Sequence, residues 1–262
     1  MLALIAGTGF DRFLKPEEEK IVETPFGSRV IYKIQAQDQS FYYLPRHGLD
    51  HSVAPHLINY RANLWALKDL GVDKVLSLCA VGSLNKDFKP GNFVAVKDIL
   101  DFTKGRTSTF YDGQDRDLKH LDVSNLYSKS MVQEIKNFFS QRPESFQEGV
   151  YVCTEGPRFE TAAEIKFYQM IGGDLVGMTG SPEVFLAREL SMNYASLALV
   201  TNFCTGVASD SIEFVSSFDQ YQDLIESLLN YLSRKNRLFV KCWGEIHSRP
   251  FFMPERPLKC DS

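Results

Sequence analysis

Charge of one sign is scarce in this sequence. Its 262 residues carry 29 Lys and Arg against 33 Asp and Glu, a formal net charge of −4. A protein that grips a phosphate backbone needs a strongly basic face, so the balance argues against a nucleic-acid binder. Long hydrophobic runs are missing too. No stretch of about 18 apolar residues occurs, which speaks against a helical membrane span. The apolar opening, Met1 to Ala6, is too short for the hydrophobic region of a secretion signal and has no basic segment before it. It reads as a buried first strand. Cysteine is sparse: five residues and no CxxC pair. That pattern suits free thiols in a reducing, cytoplasmic setting.

What is present is the balance of an ordinary globular protein, 44% hydrophobic and 24% charged. The chain can bury a sizeable core without disulfide or metal staples. Extended runs at 2–6, 29–34, 41–44, 74–80, 92–96, 150–153 and 194–201 alternate with helical signals at 57–70, 161–170, 124–139 and 221–238. Val75 to Leu78 and Leu197 to Val200 are nearly continuous apolar runs, the mark of strands covered on both faces. Leu57, Tyr60, Leu64, Leu67 and Leu70 recur at helical spacing and stop at Gly71. Ser181-Pro182-Glu183 reads as a helix start, with Ser as N-cap and Pro at the first helical position. The alternation predicts one α/β domain over residues 1–240, with an irregular, Pro-bearing tail over 241–262.

Five segments have the makings of a site. Gly7-Thr8-Gly9-Phe10 follows the first strand, where a glycine lets backbone N–H groups approach an anion. Arg46-His47-Gly48 follows another strand and offers a guanidinium fork and an imidazole to a phosphate. His51 and His56 follow, but no Asp, Glu or Cys cluster completes a metal set and Pro55 breaks any shared helix. Glu155-Gly156-Pro157-Arg158-Phe159-Glu160-Thr161 projects an aromatic ring and a carboxylate from a rigid turn. Gly177-Met178-Thr179-Gly180 opens onto a helix N-terminus, a common anion site. Thr201-Asn202-Phe203-Cys204 ends a buried strand. Each segment taken alone has a plain structural explanation as a turn, a cap or a helix start.

In this order and spacing, these segments resemble the trimeric branch of the purine nucleoside phosphorylase family, which includes the 5′-deoxy-5′-methylthioadenosine phosphorylases. Asn59 to Leu67, Ala80-Val81-Gly82-Ser83-Leu84 and Phe110-Tyr111-Asp112-Gly113 extend the likeness over roughly residues 2–230. The resemblance implies a single-domain nucleoside phosphorylase-type α/β fold, a central twisted mixed sheet flanked by helices. It implies that phosphate attacks the anomeric carbon of a purine nucleoside and releases the free base and a sugar 1-phosphate. The transition state of such a glycosyl transfer is oxocarbenium-like. Positioning and electrostatics suffice for it, with inorganic phosphate as co-substrate and no cofactor or metal. Carried over residue by residue, Thr8, Arg46, His47, Cys79, Ala80 and Thr179 form the phosphate pocket, Cys79 standing where the methylthioadenosine branch has Thr. Met178 packs beside the ribose. Asn202 and His47 take the catalytic roles, Asn202 at the departing base.

The base pocket departs from the methylthioadenosine pattern. That branch carries Thr-Asp-x-Asp where this chain reads Thr201-Asn202-Phe203-Cys204, and small polar residues where it reads Phe159-Glu160. An Asn amide donates to the O6 and N7 side of a 6-oxopurine, and an ionised Glu160 accepts from N1–H. The expected substrates are therefore inosine- or guanosine-type nucleosides. No His occurs in residues 209–222 to reach a 5′-hydroxyl, and Ile212, Val215 and Phe218 are apolar. This keeps a 5′-methylthioinosine open as substrate. His120 aligns with a His that the methylthioadenosine branch lends to a neighbouring subunit's site, which implies a homotrimer. Two other readings fit the residues less well. A hydrolase on the same fold lacks its base-side carboxylate here, and a purine sensor would have no use for a phosphate pocket.

Overall fold

The computed structural model describes residues 1–7, 17–36, 39–113, 118–208, 214–215 and 218–234. Nine strands form one mixed sheet in the order β2-β3-β4-β1-β5-β8-β7-β6-β9, and β9 also pairs with β5. They are β1 (Leu2–Ala6), β2 (Glu18–Val22), β3 (Arg29–Ala36), β4 (Gln39–Pro45), β5 (Lys74–Ser83), β6 (Phe93–Asp101), β7 (Phe146–Cys153), β8 (Leu175–Gly177) and β9 (Asn193–Phe203). The β5–β9 pairing closes β5, β8, β7, β6 and β9 into a ring, while β1 to β4 extend from it as an open sheet. The parallel neighbours β4, β1, β5 and β9 bring four carboxyl ends to one edge.

β1 is buried at all five positions, as its unbroken apolar run requires of a strand covered on both faces. One face packs on α1 (Tyr60–Asp69) and α4 (Glu183–Glu189) through Leu64, Leu67, Val184 and Leu186. The other packs on α2 (Lys129–Phe139) and α5 (Gln222–Arg234) through Ile135, Phe138, Leu228 and Leu232. Helix α3 (Ala162–Met170) sits beside the ring with Ile165 and Tyr168 inward. No helix among the described residues is long and apolar enough to cross a membrane.

Two strands escaped the sequence reading. β2 (Glu-Glu-Lys-Ile-Val) is an edge strand with one buried residue, so its pattern shows no apolar face. β8 has only three residues and is held by neighbours distant in sequence. Two starts moved. α2 begins at Lys129 rather than 124, because the Ser128 side chain accepts from the Met131 N–H as N-cap. At α4, Pro182 rather than Ser181 is the N-cap residue, and the Ser181 hydroxyl donates to Asp101 Oδ2 at 2.6 Å instead. Thr161 caps α3 with Glu164 in a reciprocal capping box. The expected tail at 241–262 lies outside the described residues.

Candidate active site

A cavity of about 480 Å³ opens at the carboxyl edge of β1, β4, β5 and β9, where α/β sheets place ligands. Arg46, His47, Cys79, Ala80 and Thr179 line one part of it. Phe159, Glu160, Met178, Asn202 and Val215 line the rest. Segments more than 150 residues apart in sequence thus share one wall. Thr8 and Ile212 lie outside the described residues. His120 is exposed and does not line this chain's cavity.

The Arg46 end is built on Gly7, which follows β1. A Cβ there would sit 2.8 Å from His47 Cδ2 and 3.4 Å from Arg46 Nη1, so only glycine admits both side chains. His47 Nδ1 is 2.7 Å from the Val53 carbonyl. The carbonyl accepts from Nδ1–H, which leaves Nε2 without a proton when the ring is neutral. Burial, aided by the Arg46 charge, pulls the His47 pKa down to about 4, against the Val53 bond. The Val53 contact thus accounts for Nδ1 and leaves Nε2 facing the Gly7 wall of the cavity. The His51 ring lies 4.6 Å from His47, centroid to centroid, with a backbone φ of 57°. The Thr179 N–H donates to Tyr151 Oη at 3.3 Å.

Arg46 does not present an open fork. Nε and Nη2 donate to the two Glu183 oxygens at 2.7 and 2.9 Å, Nη2 also to Ser77 Oγ at 2.7 Å, and Nη1 to the Leu78 carbonyl at 3.1 Å. Four of its five N–H groups are therefore engaged, and one on Nη1 is left. Burial works against the Arg46 charge, but Glu183 more than offsets it and the pKa is raised. Cys79 is a thiol here, pushed up to about 11 by burial.

The Asn202 end depends on a bulge. The β5–β9 ladder pairs Val81 with Val200 and then Gly82 with Asn202, so Thr201 is the extra residue. A bulge re-aims side chains that would otherwise alternate. Thr201 and Asn202 both reach the cavity wall here. Asn202 Oδ1 accepts from Thr201 Oγ1 at 2.8 Å and its Nδ2 donates to the Phe203 carbonyl at 3.0 Å, leaving one amide N–H. A Cβ on Gly82 would stand 2.6 Å from Cys204 Sγ and 3.3 Å from Asn202 Nδ2. Glu160 is buried and Oε1 accepts from Thr154 Oγ1 at 2.7 Å, leaving Oε2. Burial and the Glu160 charge push the Cys204 thiol up to about 12. Phe159 and Phe214 are about half exposed, with ring centroids 5.9 Å apart at the cavity wall.

Two residues that shape the site were not among the candidate site residues. Glu183, read from sequence as a helix-start acid and part of the Met178-to-Glu183 segment, is fully buried against Arg46 and Tyr194. Arg106 donates to the carbonyls of Glu155 (2.8 Å), Met178 (2.8 Å) and Ser181 (2.7 Å) and to the Glu155 carboxylate (3.0 Å). It thereby ties the loop before Phe159 to the loop holding Thr179. Among the described residues no group of three or more His, Cys, Asp or Glu side chains is placed to hold a metal ion.

One cavity thus joins a buried end carrying Arg46 and His47 to a polar end walled by Phe159 and Phe214. The chain belongs to the phosphorylase superfamily, whose family model matches residues 1–233. It is 40% identical over 242 residues to the 6-oxopurine nucleoside phosphorylase of Pyrococcus furiosus, covering 88% of this chain and 90% of that one. It is 41% identical over 239 residues to a probable S-methyl-5′-thioinosine phosphorylase of Methanocaldococcus jannaschii, covering 88% and 92%. Among solved structures, the methylthioadenosine phosphorylase of Schistosoma mansoni in complex with adenine superposes with a TM-score of 0.82. The two share 32% identity, over 90% of this chain and 92% of that one.

Proposed function

We propose that the enzyme phosphorolyses 6-oxopurine nucleosides to the free base and a pentose 1-phosphate. The observation that carries the reading is the pairing at the base end. Asn202 retains one N–H donor and Glu160 one carboxylate oxygen, both in the cavity wall. A 6-oxopurine offers O6 and N7 as acceptors and N1–H as a donor, which complements both. Adenine sets an amino donor against the amide N–H and a bare N1 against the carboxylate. A site built on such bonds rejects the mispaired analogue by roughly 10⁴-fold or more. As C1′–N9 breaks, the purine leaves with negative charge, and the remaining Asn202 N–H is the donor that stabilises it in this reading. Phosphate supplies the attacking oxygen from the Arg46 and His47 end.

A 5′-methylthio nucleoside is a second substrate of this site. Phe214, Val215 and Phe218 line the cavity, an apolar set suited to a thioether. The relatives named for 6-oxopurine nucleosides and for methylthioinosine match this chain about equally well. The working assembly is a homotrimer in which His120 reaches a neighbouring subunit's site. Exposed Leu118 and Val123 beside it suit a covered surface. Sedimentation gives the subunit number directly.

The base reading is tested by Asn202→Asp. The carboxylate accepts from an adenine amino group and repels O6, so inosine turnover falls by at least tenfold and adenosine turnover rises. An unchanged ratio of the two rates rules the base assignment out.

A further inference from the structure

Arg46 is the one guanidinium or ammonium among the described residues lining the cavity. Its charge is not directed at the cavity alone. Glu183 grips it through both oxygens, at 2.7 and 2.9 Å, and the Tyr194 hydroxyl donates to Glu183 at 2.7 Å from behind. Both members of the pair are buried, Glu183 completely. The other nitrogen at this end, His47 Nε2, belongs to a ring whose proton sits on Nδ1 against the Val53 carbonyl. A Cβ on Gly7 would lie 3.0 Å from His47 Nε2 and 3.4 Å from Arg46 Nη1, so the two atoms flank one point of the wall. At that point the structure offers one N–H and one lone pair, with formal charges that sum to zero.

We propose that Glu183 is a positioning residue that neutralises Arg46, so that phosphate is held by directed hydrogen bonds rather than by an unpaired cation. This deepens the phosphorolysis reading and rests on it. An attacking oxygen must give its lone pair to carbon. A bare guanidinium would hold that pair in the ground state more tightly than in the transition state. Binding of that kind lowers KM without raising kcat. Glu183 thus exchanges phosphate affinity for phosphate reactivity.

The test is Glu183→Gln, which keeps the shape and removes the charge. In steady-state phosphorolysis of inosine, KM for phosphate falls about tenfold and kcat falls about tenfold, while KM for inosine stays within about twofold. The rise in thermal midpoint produced by added phosphate is larger than in the wild type. A purely structural role for Glu183 moves KM for phosphate upward. A folded variant with KM for phosphate raised or unchanged therefore overturns the proposal. If the variant does not melt cooperatively, the wild type decides. An Arg46 end of zero formal charge gives a simple anion little to pair with, so KCl raised to about 0.3 M changes KM for phosphate by less than about twofold. Strong competitive inhibition by chloride overturns the proposal. Wild-type base release that ignores phosphate overturns the phosphorolysis reading itself, a result distinct from either.

Discussion

Replacing Arg106 with Lys keeps the charge and removes the fork. Arg106 is almost wholly buried and spans two cavity loops. It donates to the Glu155 carbonyl on one and to the Met178 and Ser181 carbonyls on the other, at 2.7–2.8 Å. It also meets the Glu155 carboxylate at 3.0 Å and the Tyr60 hydroxyl at 3.3 Å. A lysine carries its three N–H groups on one atom and cannot reach both loops in that geometry. At least two partly buried carbonyls lose their donor, at about 1–2 kcal/mol each, so the variant should be destabilised by about 2–4 kcal/mol. In a chain of this size that lowers the thermal midpoint by roughly 5–15 °C. Met178 and Phe159 then sit on loops no longer tied together. A displacement of about 1 Å between reacting groups reduces turnover on the order of 10²-fold. Calorimetry and kcat/KM for inosine check both numbers. A variant within about 0.5 kcal/mol of wild type that also turns over within twofold refutes the reasoning.

Arg46→Ala leaves the Glu183 carboxylate buried and unpaired, and should cost about 3–5 kcal/mol of stability in denaturant unfolding. The paired change Arg46→Met with Glu183→Leu should recover most of that stability but not the activity. Gly82→Ala places a methyl 2.6 Å from Cys204 Sγ and 3.3 Å from Asn202 Nδ2. It should destabilise by about 1–3 kcal/mol and weaken hypoxanthine binding, as read by calorimetric titration. His47 titrates near pH 4 when folded, below its ordinary 6.5. Between those values the unfolded chain binds the extra proton, so the stability His47 contributes is complete above about pH 6.5 and is lost as pH falls toward 4. The melting midpoint of wild type relative to His47→Gln, followed across that window, shows the loss. A difference that stays flat contradicts it.

The strand and helix alternation was legible because the central strands are continuous apolar runs bounded by turn residues, as at β1 and β9. The glycines and polar residues at the strand ends, from Arg46 to Asn202, marked the cavity wall. What pairing decides could not be read. The Arg46 fork appears free for phosphate in one dimension, because Glu183 stands 137 residues away and also serves as a plausible helix-start acid. His47 looks like a donor until the Val53 carbonyl fixes its proton. The Thr201 bulge depends on the register against β5, and Arg106 sits in a loop with no periodicity to mark it.

The central claim is tested most directly by base release from inosine, methylthioinosine, adenosine and methylthioadenosine, each with and without phosphate. The account predicts hypoxanthine from the two 6-oxo nucleosides only when phosphate is present, and adenine at least about 10³-fold more slowly. Adenine release at a comparable rate, or hypoxanthine release without phosphate, contradicts it.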